Sequence, residues 1–160
     1  MQFTKKYDIV QKTFHKGGNI SVKTTGKLEQ EIRGAEDAGV LSGPGFEQPE
    51  LSKYLRQLLD ERHLTTGEVI QRCNLDRSYG YQLFNGTRCP TRDTLIILSF
   101  QLDLNEKQTQ RLLKIAGRPA LYARNRRDAA ILFGLTHRLT LPQTEDLLSE
   151  LEEEPLGFNI

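Results

Sequence analysis

Residues 76–93, DRSYGYQLFNGTRCPTRD, carry the side chains best suited to bind another molecule. Arginine and glutamine present paired hydrogen-bonding groups, and such pairs match the edges of guanine and adenine in the major groove of DNA. Residues 76–85 are predicted to form a short helix, whose inward face carries Leu83 and Phe84. Helical spacing places five polar side chains together on its other face: Arg77, Ser78, Tyr81, Gln82 and Asn85. The pattern predicts a helix inserted into a partner, and it favours the major groove of DNA.

The ends of this helix and of the one before it are marked by their capping residues. Asp76 stands where an N-cap is expected, and Gly86 follows the helix, where glycine often ends helices. Upstream, Thr65 and Glu68 form a capping-box pattern that opens another short helix. Asn74, in the intervening turn, is expected at positive φ, which asparagine tolerates better than most residues. The sequence therefore predicts two short helices joined by a tight turn.

Three further helices complete a predicted five-helix domain over residues 49–117. The first, near 50–62, has apolar residues at i, i+3, i+4, i+7 and i+8, which form one buried stripe: Leu51, Tyr54, Leu55, Leu58 and Leu59. Thr91 and Asn105 are the expected N-caps of the last two helices.

The end of the chain repeats the preceding helical hairpin with a shift of 35 residues. Arg92-Asp93 aligns with Arg127-Asp128, and several apolar positions align in the same register. The repeat predicts two more helices, over 126–137 and 141–153. Two copies are too few for a solenoid, so residues 118–160 are expected to form a hairpin that packs beside the first and extends one core.

Residues 1–48 are interpreted as an N-terminal extension and linker of mixed, partly irregular character. GGNISVKTTG, at 17–26, could hold a short strand. A helix is predicted over 26–38 with Thr25 as its N-cap. GVLSGPGFEQP, at 39–49, contains three Gly and two Pro and is typical of a linker.

Composition points to a globular protein. Hydrophobic residues make up 37% of the 160-residue chain, which suffices for a core of ordinary size. No apolar run approaches the roughly 18–20 residues of a membrane span, and the N-terminus lacks the apolar stretch of a secretion signal. We therefore expect a cytoplasmic location, no membrane partner, and free thiols at Cys73 and Cys89. His15, His63 and His137 share no ligand spacing, so no metal or cofactor is predicted.

The charge is unevenly distributed, although the net charge is only +1. Residues 118–127 contain four Arg and no acid, whereas residues 128–160 contain one Arg and seven acids. Such asymmetry suits a nucleic-acid face on one part of a protein and a solvated or protein-binding face on another. The basic segment either caps the next helix through Asn125 and Asp128, or binds phosphate or an acidic partner. No phosphate loop, catalytic triad or paired carboxylates point to an enzyme.

Residues 64–105, LTTGEVIQRCNLDRSYGYQLFNGTRCPTRDTLIILSFQLDLN, resemble the phage-repressor-like (XRE/Cro-type) helix-turn-helix family, and QLFNG-x-x-x-P is the most specific match. With its extra C-terminal helices, the chain looks like small regulators of Gram-positive bacteria. The resemblance implies an all-α fold, in which a lambda-repressor-like five-helix domain is extended by the C-terminal hairpin. It also implies a transcriptional regulator that binds double-stranded DNA as a homodimer on an inverted repeat.

The resemblance assigns roles by position. The helix at 76–85 becomes the recognition helix, with Arg77 on guanine, Gln82 on adenine, and Ser78 and Tyr81 as further base contacts. A second set would contact the DNA backbone: Thr66, Asn85, Thr87, Arg88 and Arg92. The chain departs from the family at Gly80, where an aliphatic core residue is usual. Either Tyr79 or Phe84 fills that space, or the helix stays adaptable until it binds.

Other interpretations remain open. The helix-turn-helix could serve only as a scaffold, because a fold does not fix a function. The chain would then be a protein-binding adaptor or a phage-type inhibitor, with a partner on residues 1–48 or on the C-terminal hairpin. Arg77 and Gln82 could be ordinary solvated residues. Tyr79 is expected in the core rather than stacked on a base, although its spacing leaves both roles open. The acidic run SELEEEP, at 149–155, is interpreted as a solvated helix end.

Overall fold

The computed structural model describes residues 23–43, 46 and 50–157. Its internal contacts divide the chain into two units, Met1–Gln48 and Pro49–Ile160. Every regular element of the described residues is helical, so the predicted all-α class is confirmed. The strand considered for residues 17–26 falls mostly outside the described residues. None of the described helices is long and apolar enough to span a lipid bilayer.

The first unit contains α1, Thr25–Gly34, and a short 3-10 helix, Ala38–Ser42. Thr24, rather than the predicted Thr25, caps α1 by accepting a hydrogen bond from the Lys27 N–H. The 3-10 helix lies in a stretch predicted as a linker. Asp37 stabilises its first turn because the carboxylate accepts the Gly39 N–H at 2.6 Å.

The second unit contains seven helices within its described residues: α2 (Leu51–Glu61), α3 (Thr66–Arg72), α4 (Arg77–Phe84), α5 (Arg92–Gln101), α6 (Glu106–Ile115), α7 (Arg126–Thr136) and α8 (Leu141–Glu150). The helix pairs in contact include α2 with α4, α3 with α4, and α5 with α6. One core runs through all seven helices. Its largest fully buried side chains include Phe84, Leu98, Leu112, Ile131 and Leu148.

Local signals placed most of the boundaries in this unit. The predicted capping box of Thr65 and Glu68 is confirmed, as is the N-cap Asp76, which accepts the Tyr79 N–H. The last helix ends at Glu150, three residues before the predicted 153, because Glu152 takes a positive φ of 56° and turns the chain.

The repeat of 35 residues is visible in the hydrogen bonds of the two C-terminal hairpins. The Arg92 guanidinium donates to the Pro119 and Ala120 carbonyls, and the Arg127 guanidinium donates to the carbonyls of residues 154 and 155 in the same way. The backbone N–H of Leu121 is bound by the Gln110 side chain, and that of Leu156 by the Glu145 side chain. The two hairpins therefore have the same local architecture.

The hairpins pack against each other through a pseudo-two-fold relation. Arg92 pairs with Asp128 at 2.8 Å, and the repeat-equivalent Arg127 pairs with Asp93 at 2.9 Å. The helix contacts are reciprocal as well, since α5 contacts α8 while α6 contacts α7. Such reciprocity is the defining property of a two-fold, isologous association.

Candidate nucleic-acid interface

The position of α4 depends on a close approach to α3 at Gly80. A Cβ atom built on Gly80 would lie 2.5 Å from Ile70 Cγ1 and 2.7 Å from Ile70 Cδ1. Ile70 therefore occupies the space that an aliphatic side chain at this position would fill, so the prediction that Tyr79 or Phe84 fills it is wrong. The glycine brings the two helices together, and it leaves the outer face of α4 free of the core.

The turn between α3 and α4 is fixed by backbone conformation and capping. Asn74 has a φ of 49°, as predicted. The Leu75 N–H donates to the Ile70 carbonyl, and the Asp76 carboxylate accepts the Tyr79 N–H at 2.9 Å. The first bond ties the turn to α3 and the second caps the start of α4, so α4 begins at a defined position relative to α3.

The outer face of α4 presents the four predicted base-contacting side chains to solvent: Arg77, Ser78, Tyr81 and Gln82. Within the described part of the chain, the side chains of Ser78 and Gln82 make no hydrogen bond. The Arg77 guanidinium lies 5.9 Å from the centroid of the Tyr81 ring, within the range of a cation–π contact. This contact aligns an arginine with an exposed aromatic ring on one face.

Tyr79 was considered both as a core residue and as a residue that stacks on a base. Its side chain is half-buried and packs against the core, which favours the core interpretation. The Arg88 guanidinium lies 5.1 Å from the centroid of its ring. Tyr79 thus supports an exposed arginine of the loop after α4, a contact that spacing along one helix did not indicate.

The predicted backbone-contacting residues Asn85, Thr87 and Arg88 are exposed in the loop that follows α4. Gly86 takes a φ of 77°, and the Gln82 carbonyl accepts the N–H groups of both Thr87 and Arg88. The loop is therefore held against the last turn of α4 by its backbone and by the Thr87 hydroxyl, which donates to the same Gln82 carbonyl at 3.1 Å. The side chains of Asn85 and Arg88 remain exposed.

The start of α3 lies beside the outer face of α4. A Cβ atom on Gly67 would be 3.6 Å from the Tyr81 hydroxyl oxygen, so this hydroxyl reaches the first turn of α3, where Thr66 is half-buried.

The capping box of α3 contains an ionised carboxylate. The backbone N–H and the hydroxyl of Thr65 lower the pKa of the Glu68 carboxyl, which therefore stays ionised as part of the capping box.

Arg92 occupies a different environment from the other predicted backbone contacts. Its guanidinium is half-buried and donates four hydrogen bonds, two to Asp128 and one each to the Pro119 and Ala120 carbonyls. An arginine has five N–H donors in all, so little capacity is left for a phosphate. The structure thus removes the physical basis for placing Arg92 on DNA.

Two of the four arginines of the basic segment 118–127 are also used within the fold. Asn125 accepts the Asp128 N–H, which confirms the predicted capping pair. Arg118 donates twice to the Pro90 carbonyl and lies 3.6 Å from Cys89 Sγ, and Arg127 is paired with Asp93. Arg118 therefore supports the loop after α4 from 28 residues away in sequence, and no local pattern could have indicated it.

Two clefts among the described residues are small. The cleft beside Tyr54 and Arg111 has a volume of about 220 Å³ and the cleft beside Cys73 and Leu156 about 190 Å³, both below the roughly 300 Å³ at which small-molecule sites usually begin. Within the described ranges, no three His, Cys, Asp or Glu side chains come close enough together to hold a metal ion. The exposed face of α4 and its loop groups an arginine, a tyrosine and a glutamine on the helix with a second arginine on the loop.

Comparison with known proteins does not extend these observations. No family model, curated protein or solved structure matches this chain.

Proposed function

We propose that this protein is a sequence-specific DNA-binding transcriptional regulator of the phage-repressor-like helix-turn-helix kind, with α4 as its recognition helix. One observation carries the proposal. The outer face of α4 holds an arginine, a serine, a tyrosine and a glutamine in solvent, while its inner face is sealed against α3 by Gly80 and Ile70. A short helix with one packed face and one face of base-reading side chains suits the major groove.

Arg77 and Gln82 are the proposed specificity residues. Arg77 is the first residue of α4, and helices of this type contact base edges with their N-terminal residues. Its guanidinium matches guanine O6 and N7, and the Gln82 amide matches adenine N6 and N7. Each such pair contributes about 1–3 kcal/mol of discrimination. Ser78 and Tyr81 supply secondary contacts.

Phosphate contacts come from the loop after α4 and from the start of α3, through Thr66, Asn85, Thr87 and Arg88. Arg92 is left out because Asp128 and two carbonyls occupy its guanidinium. Arg88 is the principal cation of this set, and its contact with Tyr79 holds it close to α4.

The proposed regulator acts as a homodimer on an inverted repeat in the cytoplasm. Two copies of α4 must then lie about one helical turn of DNA apart, roughly 34 Å. Each half-site would be read by one α4, which explains why one short helix suffices per chain.

The test is a selection of random duplex DNA on the purified full-length protein. We expect a short inverted repeat to be enriched. The variant Arg77→Ala plus Gln82→Ala should lose the enriched motif, whereas Arg56→Ala plus Gln57→Ala should retain it. The control pair has the same residue types and is also exposed, but it lies on α2.

Circular dichroism should show that both variants remain folded. If no motif is enriched, or if both double variants retain it equally, recognition through α4 is refuted.

A protein-binding adaptor is the second candidate, and the first unit favours it. No residue of α1 or of the 3-10 helix is buried, and three large apolar side chains are exposed: Ile32, Leu41 and Phe46. An apolar surface of this kind suits a protein partner. Capture of a stable partner by the full chain, lost in Ile32→Ser plus Leu41→Ser while DNA selection gives no motif, would favour this function.

A further inference from the structure

The two repeated hairpins differ sharply in how one equivalent face is covered. In the first hairpin, Leu98 and Leu112 are completely buried and Leu102 is 1% exposed. A shift of 35 residues places Phe133, Leu147 and His137 at the same positions. Phe133 is 49% exposed, His137 is exposed and Leu147 is only half-buried. The same architectural face is therefore covered in one copy and open in the other.

The cover on the first hairpin comes from α2 and α3. Helix α2 contacts α6 and helix α3 contacts α5. The guanidinium of Arg62, the residue that follows α2, donates to the Leu102 carbonyl. The second hairpin, α7 and α8, contacts only the first hairpin among the principal helix pairs. Within the described residues of the second unit, its outer face has no counterpart of α2 and α3.

The open face has an aromatic centre with charged borders. The Phe133 and His137 rings are stacked, with centroids 3.9 Å apart. Residues spaced by three, four and seven share a helix face, so Arg126 borders this stack on α7, and Glu150 borders Leu147 on α8. Both charged side chains are exposed, and neither forms an ion pair with a described residue.

We propose that this face binds the same face of a second copy of the chain, with α7 of each copy packed antiparallel against α8 of the other. Inside the chain, the opposite face of the same hairpin already pairs with its own repeat through reciprocal contacts, so this type of hairpin does form two-fold associations on its inner face.

Charge favours a second copy over an unrelated partner. Residues 118–127 before and at the start of α7 are basic, and residues 145–154 on and after α8 are acidic. An antiparallel pairing places Arg126 of one copy opposite Glu150 of the other, twice per dimer. Opposite charges across an interface fix the register and suppress wrong partners.

This inference specifies the dimer of the proposed function, but it concerns the protein without DNA and is tested without DNA. The molecular mass in solution is measured by sedimentation equilibrium over a range of concentrations. We expect a dimer of twice the 18.3 kDa chain mass. Phe133→Lys should raise the dissociation constant at least about tenfold, as expected for a central aromatic contact. Tyr122→Lys, a change of an exposed aromatic residue in the preceding loop, should leave it unchanged.

A charge exchange tests the pairing of the helices. Arg126→Glu and Glu150→Arg should each weaken the dimer, and the double variant should restore it. Thermal unfolding confirms that each variant is folded, and each altered side chain is substantially exposed. A monomer at all concentrations, a dimer insensitive to Phe133→Lys, or no recovery in the double variant would overturn the proposal. A monomer that still selects a DNA motif would leave the proposed function intact and refute only this interface.

Discussion

At the scale of single residues, side-chain identity matters less than what lies beside the residue. Arg88 and Arg92 are both arginines that the resemblance to helix-turn-helix proteins predicts to contact a DNA backbone. Arg88 is exposed over the Tyr79 ring, whereas Arg92 is held by Asp128 and two carbonyls. Gly80 also depends on its surroundings, because the absence of a side chain there allows α4 to pack closely against Ile70.

Gly80→Ala tests this close approach. Alanine improves the helix propensity by about 1 kcal/mol, but its Cβ would lie 2.5 Å from the Cγ1 atom of the buried, β-branched Ile70. Overpacking of this kind costs about 1–3 kcal/mol, so we expect the free energy of unfolding to fall in a urea titration.

Gly67→Ala, in the neighbouring helix, is the matched control. Its Cβ would meet only the Tyr81 hydroxyl at an ordinary 3.6 Å, so unfolding should be unchanged or slightly harder. Equal stability of the two alanine variants would show that the Gly80 contact does not constrain α3 and α4.

At the scale of elements, short-range patterns defined the helices and the repeat, while long-range pairs joined them. Thr65, Asp76, Thr91, Asn105 and Asn125 were identified as caps from sequence because each acts within three or four residues, whereas the predicted cap of α1 was one residue off. The ion pairs between the hairpins span 34 and 36 residues, and their partners could not be identified from spacing. The repeat indicated only that an Arg-Asp dipeptide occurs at the same position in both copies, and not which residues pair.

Asp128→Asn tests the role of these pairs. Burial alone would raise the pKa of the Asp128 carboxyl, but hydrogen bonds from Arg92 and the Tyr122 N–H, with the nearby arginine charges, lower it below the usual value of about 3.9. The ionised carboxylate therefore stabilises the fold. Asparagine should reduce the free energy of unfolding by about 1.5–3 kcal/mol at neutral pH.

The stability that the Asp128 carboxylate contributes is expected to fall as the pH is lowered. A carboxyl with a lowered folded-state pKa contributes its full stability above about pH 5 and loses it as the pH falls below about 4. The difference between the wild type and Asp128→Asn, measured by urea titration, should therefore shrink on acidification. Asp93→Asn should cost less, because that carboxylate is more exposed. A difference independent of pH would contradict the assignment.

At the scale of the whole molecule, two faces of the second unit have separate proposed roles. The base-reading face lies on α4, whose main contacts are α2 and α3, and the proposed dimer face lies on α7 and α8. Because different helices supply the two faces, a dimer could leave both copies of α4 free to bind DNA. The net charge of +1 means that the local arginines must supply the attraction to phosphate.

The salt dependence of DNA binding tests which arginines contact the DNA phosphates. Each phosphate contact releases counterions, so the slope of log affinity against log salt concentration falls by about 1 for each contact removed. With the DNA motif from the selection, Arg88→Ala should reduce the slope by about 1. Arg92→Ala should leave the slope unchanged and instead lower the free energy of unfolding. A reduced slope in Arg92→Ala would show that Arg92 does contact a DNA phosphate.

The sequence by itself determined the all-α class, most helix caps of the second unit, the positive φ of Asn74 and the repeated hairpin. Each of these depends on residues a few positions apart, or on direct comparison of two segments. It also selected the face of α4 that the structure leaves exposed. Tertiary structure decided that Ile70 fills the space at Gly80, that Asp128 occupies Arg92, and that Phe133 is open where Leu98 is buried. These outcomes depend on which distant segments meet, and a local pattern of residue types does not contain that information.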